Sequence, residues 1–110
     1  MKILIIETGK QSLQTARMIF KEHFVISAGV KHAEKLLERS SFDLVIVRSA
    51  LRKEEDGHEL AKKMQLSDPF QKILVLADKK LEEAPSIHYF DQGRWDQTTV
   101  IDAINAIFSK

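Results

Sequence analysis

The chain contains no cysteine, which excludes a disulfide framework, a zinc–thiolate centre and thiol catalysis together. Proline is confined to Pro69 and Pro85, and the glycines are dispersed. Gly9 stands alone after an apolar run, without the further glycines and lysine of a phosphate-cradling loop. Charge of one sign is also missing. With 17 basic and 16 acidic residues, no overall field favours nucleic acid or a membrane surface, and we expect contact with neither. Nowhere do apolar residues run to the roughly 18–20 that a membrane span needs. The opening Met1-Lys2-Ile3-Leu4-Ile5-Ile6 is too short for the apolar part of a signal peptide, so a cytoplasmic protein is expected.

What is present suits a single domain over residues 1–110. A chain of 110 residues, 44% hydrophobic and 30% charged, can bury a core without staples and has no room for a second one.

Ile3 to Ile6 is a continuous, largely β-branched run, the pattern of a strand covered on both faces. Leu44-Val45-Ile46-Val47 and Ile73-Leu74-Val75-Leu76 repeat it. Phe24-Val25-Ile26 and Ile87-His88-Tyr89-Phe90 predict two further strands. Between them, apolar residues recur at helical spacing. Leu13, Ala16, Ile19, Phe20 and Phe24 predict a helix over Ser12 to His23; Val30, Ala33, Leu36 and Leu37 predict a second. Leu60, Ala61 and Met64 predict a third, stopped near Pro69, and Val100, Ile101, Ala103, Ile104, Ile107 and Phe108 form the apolar face of the last.

Strands and helices therefore alternate along the chain, which calls for a parallel sheet with helices on both faces. Right-handed crossovers leave few topologies. Five strands suit an α/β, flavodoxin-like, doubly wound sheet in the order 2-1-3-4-5. Only Ala77 to Ser86 separate the fourth and fifth strands, so the helix between them should be shortened or missing.

Five local patterns, in order, resemble the receiver (CheY-like) domains of bacterial response regulators. The first strand ends in Glu7-Thr8, where receivers have two metal-binding acids. Phe42-Asp43-Leu44-Val45-Ile46-Val47-Arg48 resembles the third strand, which in receivers ends in the phospho-accepting aspartate. Asp56-Gly57-His58-Glu59-Leu60 resembles the turn opening the third helix. Lys72-Ile73-Leu74-Val75-Leu76-Ala77 resembles the fourth strand with its closing hydroxyl, and Tyr89-Phe90-Asp91-Gln92-Gly93 falls where receivers carry a lysine.

The same comparison implies a degenerate phosphorylation site. Acyl phosphate chemistry needs a carboxylate nucleophile, a metal held by further carboxylates, and a cation for the acquired charge. Thr8, Ala77 and Gln92 replace three of those groups, and Glu7 remains. Arg48, counted from Asp43, or Ser49, counted back from Asp56, replaces the nucleophile. Neither is a carboxylate. The resemblance thus implies a pseudo-receiver with no catalytic residue, cofactor or metal.

Arg48 needs a counter-charge if it closes a buried strand, because an unpaired buried ion is costly. Glu7, ending the neighbouring strand, is the expected partner. Other polar clusters read as ordinary structure. Asp56 with Glu59 is a capping box, the four histidines lack metal-ligand spacing, and the charged runs at 52–56 and 79–83 are solvated loops.

Tyr89, Phe90 and Trp95 sit around the fifth strand and the start of the last helix, a region that receivers commonly use for docking. With Ile104, Ile107 and Phe108 they are the candidate interface, for a protein partner, an output domain of a larger regulator, or a second copy through strand five and the last helix. Two alternatives stand beside this reading. A small ligand could occupy an apolar pocket lined by Tyr89, Phe90 and Trp95. An enzyme of flavodoxin-like fold is the other, although the strand ends offer no evident acid–base set.

Overall fold

The computed structural model describes residues 1–6, 10–48, 57–77, 87–91 and 96–108. Among the described residues, five strands and four helices follow in the order β1 (Lys2–Ile6), α1 (Lys10–Ile19), β2 (Phe24–Ala28), α2 (Val30–Arg39), β3 (Leu44–Arg48), α3 (Gly57–Ser67), β4 (Ile73–Ala77), β5 (Ile87–Asp91) and α4 (Gln97–Phe108). The strands form one parallel sheet in the order β2-β1-β3-β4-β5, as the alternation predicts.

The continuous apolar runs are the interior strands. Ile3 to Ile6, Leu44 to Val47 and Ile73 to Leu76 are all buried, because helices cover the sheet on both sides. Alternate residues face opposite layers. Leu4, Ile6, Val45, Val47, Ile73 and Val75 pack with Val30 and Ala33 of α2 and with Leu60, Ala61 and Met64 of α3. Ile3, Ile5, Leu44, Ile46, Leu74 and Leu76 pack with Ala16 of α1 and with Val100, Ile104 and Ile107 of α4. Each such side chain taken from water contributes about 1.5–3 kcal/mol, so the three central strands anchor the fold.

Local interactions set the ends of the elements. Asp96 is the N-cap of α4: its Oδ1 accepts the Thr99 amide at 3.0 Å, and the Thr99 hydroxyl donates back to the same carboxylate. At the other end of the sheet the Lys2 amide donates to Asp43 Oδ2 at 2.7 Å, and the Asp43 amide donates to the Lys2 carbonyl at 2.8 Å. That reciprocal pair fixes where β1 meets β3, and the Lys2 ammonium lies 4.8 Å from the centre of the Phe42 ring.

The bounds of the first helix differ from the sequence reading, which placed it over Ser12 to His23. The first helix ends at Ile19; Phe20 is buried in the turn after it, and Phe24 opens β2 with 61% of its surface exposed. Phe24 thus belongs to an edge strand, whose partial burial weakens the apolar signal that separates it from the preceding helix. The third helix stops at Ser67, near Pro69 as expected, because proline disfavours helical geometry before it. The β4–β5 connection, with the expected loss of a helix, lies outside the described residues.

Candidate functional site

In an open parallel sheet, ligands meet the crevice outside the carboxyl ends of the strands. Here β1 ends at Ile6, β3 at Arg48, β4 at Ala77 and β5 at Asp91. Ile6 is in register with Val47, Arg48 with Leu76, and Ala77 with Asp91. Arg48 therefore extends β3 one residue past its last pairing with β1. By strand alternation it shares the parity of Leu44 and Ile46, which face α1 and α4.

Arg48 is half-buried, whereas the four residues before it in β3 are buried. Its Nε is shut away from solvent and has no hydrogen-bond partner among the described residues. A buried donor left unmet costs about 1–3 kcal/mol, and a shielded guanidinium favours an anion beside it. The arrangement has no carboxylate at the end of β3. Among the described residues, no three histidines, cysteines or carboxylates come together as a metal site.

The rest of the sequence-derived site is distributed as follows. Ala77 is the last residue of β4, which pairs with Arg48's strand. Glu7, Thr8, Ser49, Gln92 and Trp95 lie outside the described residues, and so does the Arg48–Glu7 pair.

Of the interface candidates, Phe90, Ile104 and Ile107 are core residues, between 5% and 9% exposed, in the layer of α1 and α4. These three interface candidates therefore close the core and offer little exposed surface for docking. α4 rests on the sheet with α1 beside it, so two flanks of the helix carry apolar residues. Tyr89 is half-buried on the opposite layer, packed against the cluster of α2 and α3, and Phe108 is 40% exposed.

Leu66 and Phe70, 85% and 88% exposed at the end of α3, and Gln71, buried at the start of β4, were not singled out in the sequence. A polar residue between Phe70 and Lys72 reads as loop, yet Gln71 lines a cavity together with residues of α2 and α3.

Solved structures share this architecture at low sequence identity. The signal receiver domain of an HD-domain-containing protein from Pseudomonas fluorescens Pf-5 superposes with a TM-score of 0.79 at 18% identity, over 97% of this chain and 93% of that one. The chain folds as a receiver domain. A response regulator receiver protein from Sinorhizobium medicae WSM419 gives 0.78 at 16% identity, over 97% and 93% of the two chains. A chain from the complex of histidine kinase ThkA with response regulator protein TrrA gives 0.72 at 16% identity, over 98% and 99%. No family model and no curated protein matches the sequence. Among the described residues no helix is long and apolar enough to cross a membrane.

Proposed function

We propose that this receiver-fold chain is a phosphorylation-independent regulatory module, acting in signal transduction or transcriptional regulation by binding a protein and not by catalysis. One observation carries the reading: β3 ends in Arg48, a cation, where the receiver pattern ends in the acceptor aspartate. A guanidinium has no lone pair to attack phosphorus and would repel Mg²⁺. Thr8, Ala77 and Gln92 remove the second metal-binding acid, the hydroxyl and the lysine, which leaves Glu7 without the partners needed for acyl phosphate formation.

Glu7 then serves Arg48 as counter-ion, so that a fixed ion pair replaces a metal-dependent switch. Partner docking falls to the edge formed by β5 and α4, where Tyr89 and Phe108 retain exposed surface and Trp95 precedes the helix. The partner is a protein, an output domain or a second copy of the chain.

The test is a titration with Mg²⁺ and beryllofluoride, followed by the backbone amide signals of Arg48 and Leu76. Unchanged signals support the proposal. Saturable shifts at both positions overturn it.

A further inference from the structure

At the amino-terminal edge of the sheet, away from Arg48, the last turns of α2 and α3 border a cavity of about 710 Å³. That is within the range of small-molecule sites. We propose that this crevice binds a small organic cation, a primary ammonium carried on an alkyl or aryl body. The inference is independent of the fate of the phosphorylation site.

Its wall is apolar. Leu60 and Met64 of α3 are buried, Leu37 of α2 is half-buried, and Leu66 stands exposed among the lining residues. Such a surface retains a hydrocarbon body in preference to water.

The polar lining mixes acids, bases and hydroxyls with one buried amide. Gln71 lines the crevice and is only 8% exposed. Its Nε2 donates to the Lys72 carbonyl at 3.1 Å. A carbonyl can face only the NH₂ end of the amide, so the orientation of Gln71 is fixed by chemistry. That leaves Oε1, which receives no hydrogen bond from a described residue. It is not among the side-chain atoms sealed from solvent without a partner, so it is an acceptor that a donor entering the crevice can reach.

Charge points the same way. α2 and α3 both end here, at Arg39 and Ser67, bringing the partially negative ends of two helices to one place. Glu34, Glu38 and Asp68 line the crevice against Arg39 and Lys63, three acids to two bases. Asp68 Oδ1 is occupied by the Phe70 amide at 3.1 Å, which holds its carboxylate at the end of α3. An ammonium group would donate to Gln71 Oε1 while its chain lies along Leu37, Leu60 and Met64. The sequence reading looked for a small ligand around Tyr89, Phe90 and Trp95; the crevice lies elsewhere.

The experiment compares hexylammonium, hexanoate and hexanol, which share one apolar body, by amide-resolved NMR titration of the whole chain. Hexylammonium should give saturable shifts centred on residues 37–41 and 66–71, and the other two should bind more weakly. Gln71→Leu keeps the burial and removes the acceptor, so affinity should fall about fivefold. The exposed Glu38→Gln should lower it about twofold without touching the core, which decides the matter if Gln71→Leu does not fold. Absence of saturation, shifts centred elsewhere, equal response to hexanoate, or undiminished affinity in the folded variants would overturn the proposal.

Discussion

Arg48 lies in register with Leu76, so a guanidinium-bearing residue closes β3 beside a buried leucine of β4. Its paired neighbour in β4 is apolar, and its Nε is buried without a partner among the described residues. A charge in that setting must be met by an anion nearby, and Glu7 follows directly on the last residue of β1.

A double-mutant cycle between Arg48 and Glu7 tests the proposed pair. Arg48→Met should destabilise the protein by about 1 kcal/mol, discounted for the half-exposed guanidinium. Adding Glu7→Gln should then cost little more, because its partner is already gone. Chemical denaturation measures all three variants. If Arg48→Met melts like the wild type, Arg48 has no structural anion.

Ile107 separates core from interface on α4. Being 6% exposed and packed in the layer of α1 and α4, Ile107→Ala should cost about 2–4 kcal/mol. Phe108→Ser, one residue on and 40% exposed, should change stability by less than about 1 kcal/mol. Association with a partner or a second copy should respond to Phe108→Ser and Tyr89→Ala in variants that circular dichroism shows to be folded. Unaltered association would place the docking surface off the β5–α4 edge.

The cap of α4 offers a simpler check. Asp96→Ala removes the acceptor for the Thr99 amide and hydroxyl and should cost about 1 kcal/mol. Asp96→Asn, which retains an acceptor oxygen, should recover most of it. Equal loss in both variants would mean that the carboxylate charge, through the helix dipole, matters more than the cap geometry.

The fold was readable because β1, β3 and β4 are buried on both faces, and such strands show as unbroken apolar runs. β2 was readable only in part: it is an edge strand, and its exposed Phe24 continued the helical spacing of α1. On α4 the sequence showed which residues are apolar, whereas which of them meet the sheet depends on α1 lying alongside. Ile104 and Ile107 were assigned to an interface for that reason, and Phe90 because its strand lies in the region receivers commonly use for docking. Counting from Asp43 put Arg48 at the acceptor position and counting back from Asp56 put Ser49 there; β3 ends at Arg48, and Ser49 lies outside the described residues. Gln71 could not be found. Its low exposure and its place in a cavity lined by α2 and α3 are properties of the fold, with no local signal in the sequence.

The account turns on whether this chain can carry an acyl phosphate. Intact-mass spectrometry after incubation with acetyl phosphate and Mg²⁺, beside a receiver that retains its acceptor aspartate, answers this directly. The account predicts no phosphoryl adduct on this chain under conditions that label the control. A stoichiometric, hydroxylamine-labile adduct would contradict it.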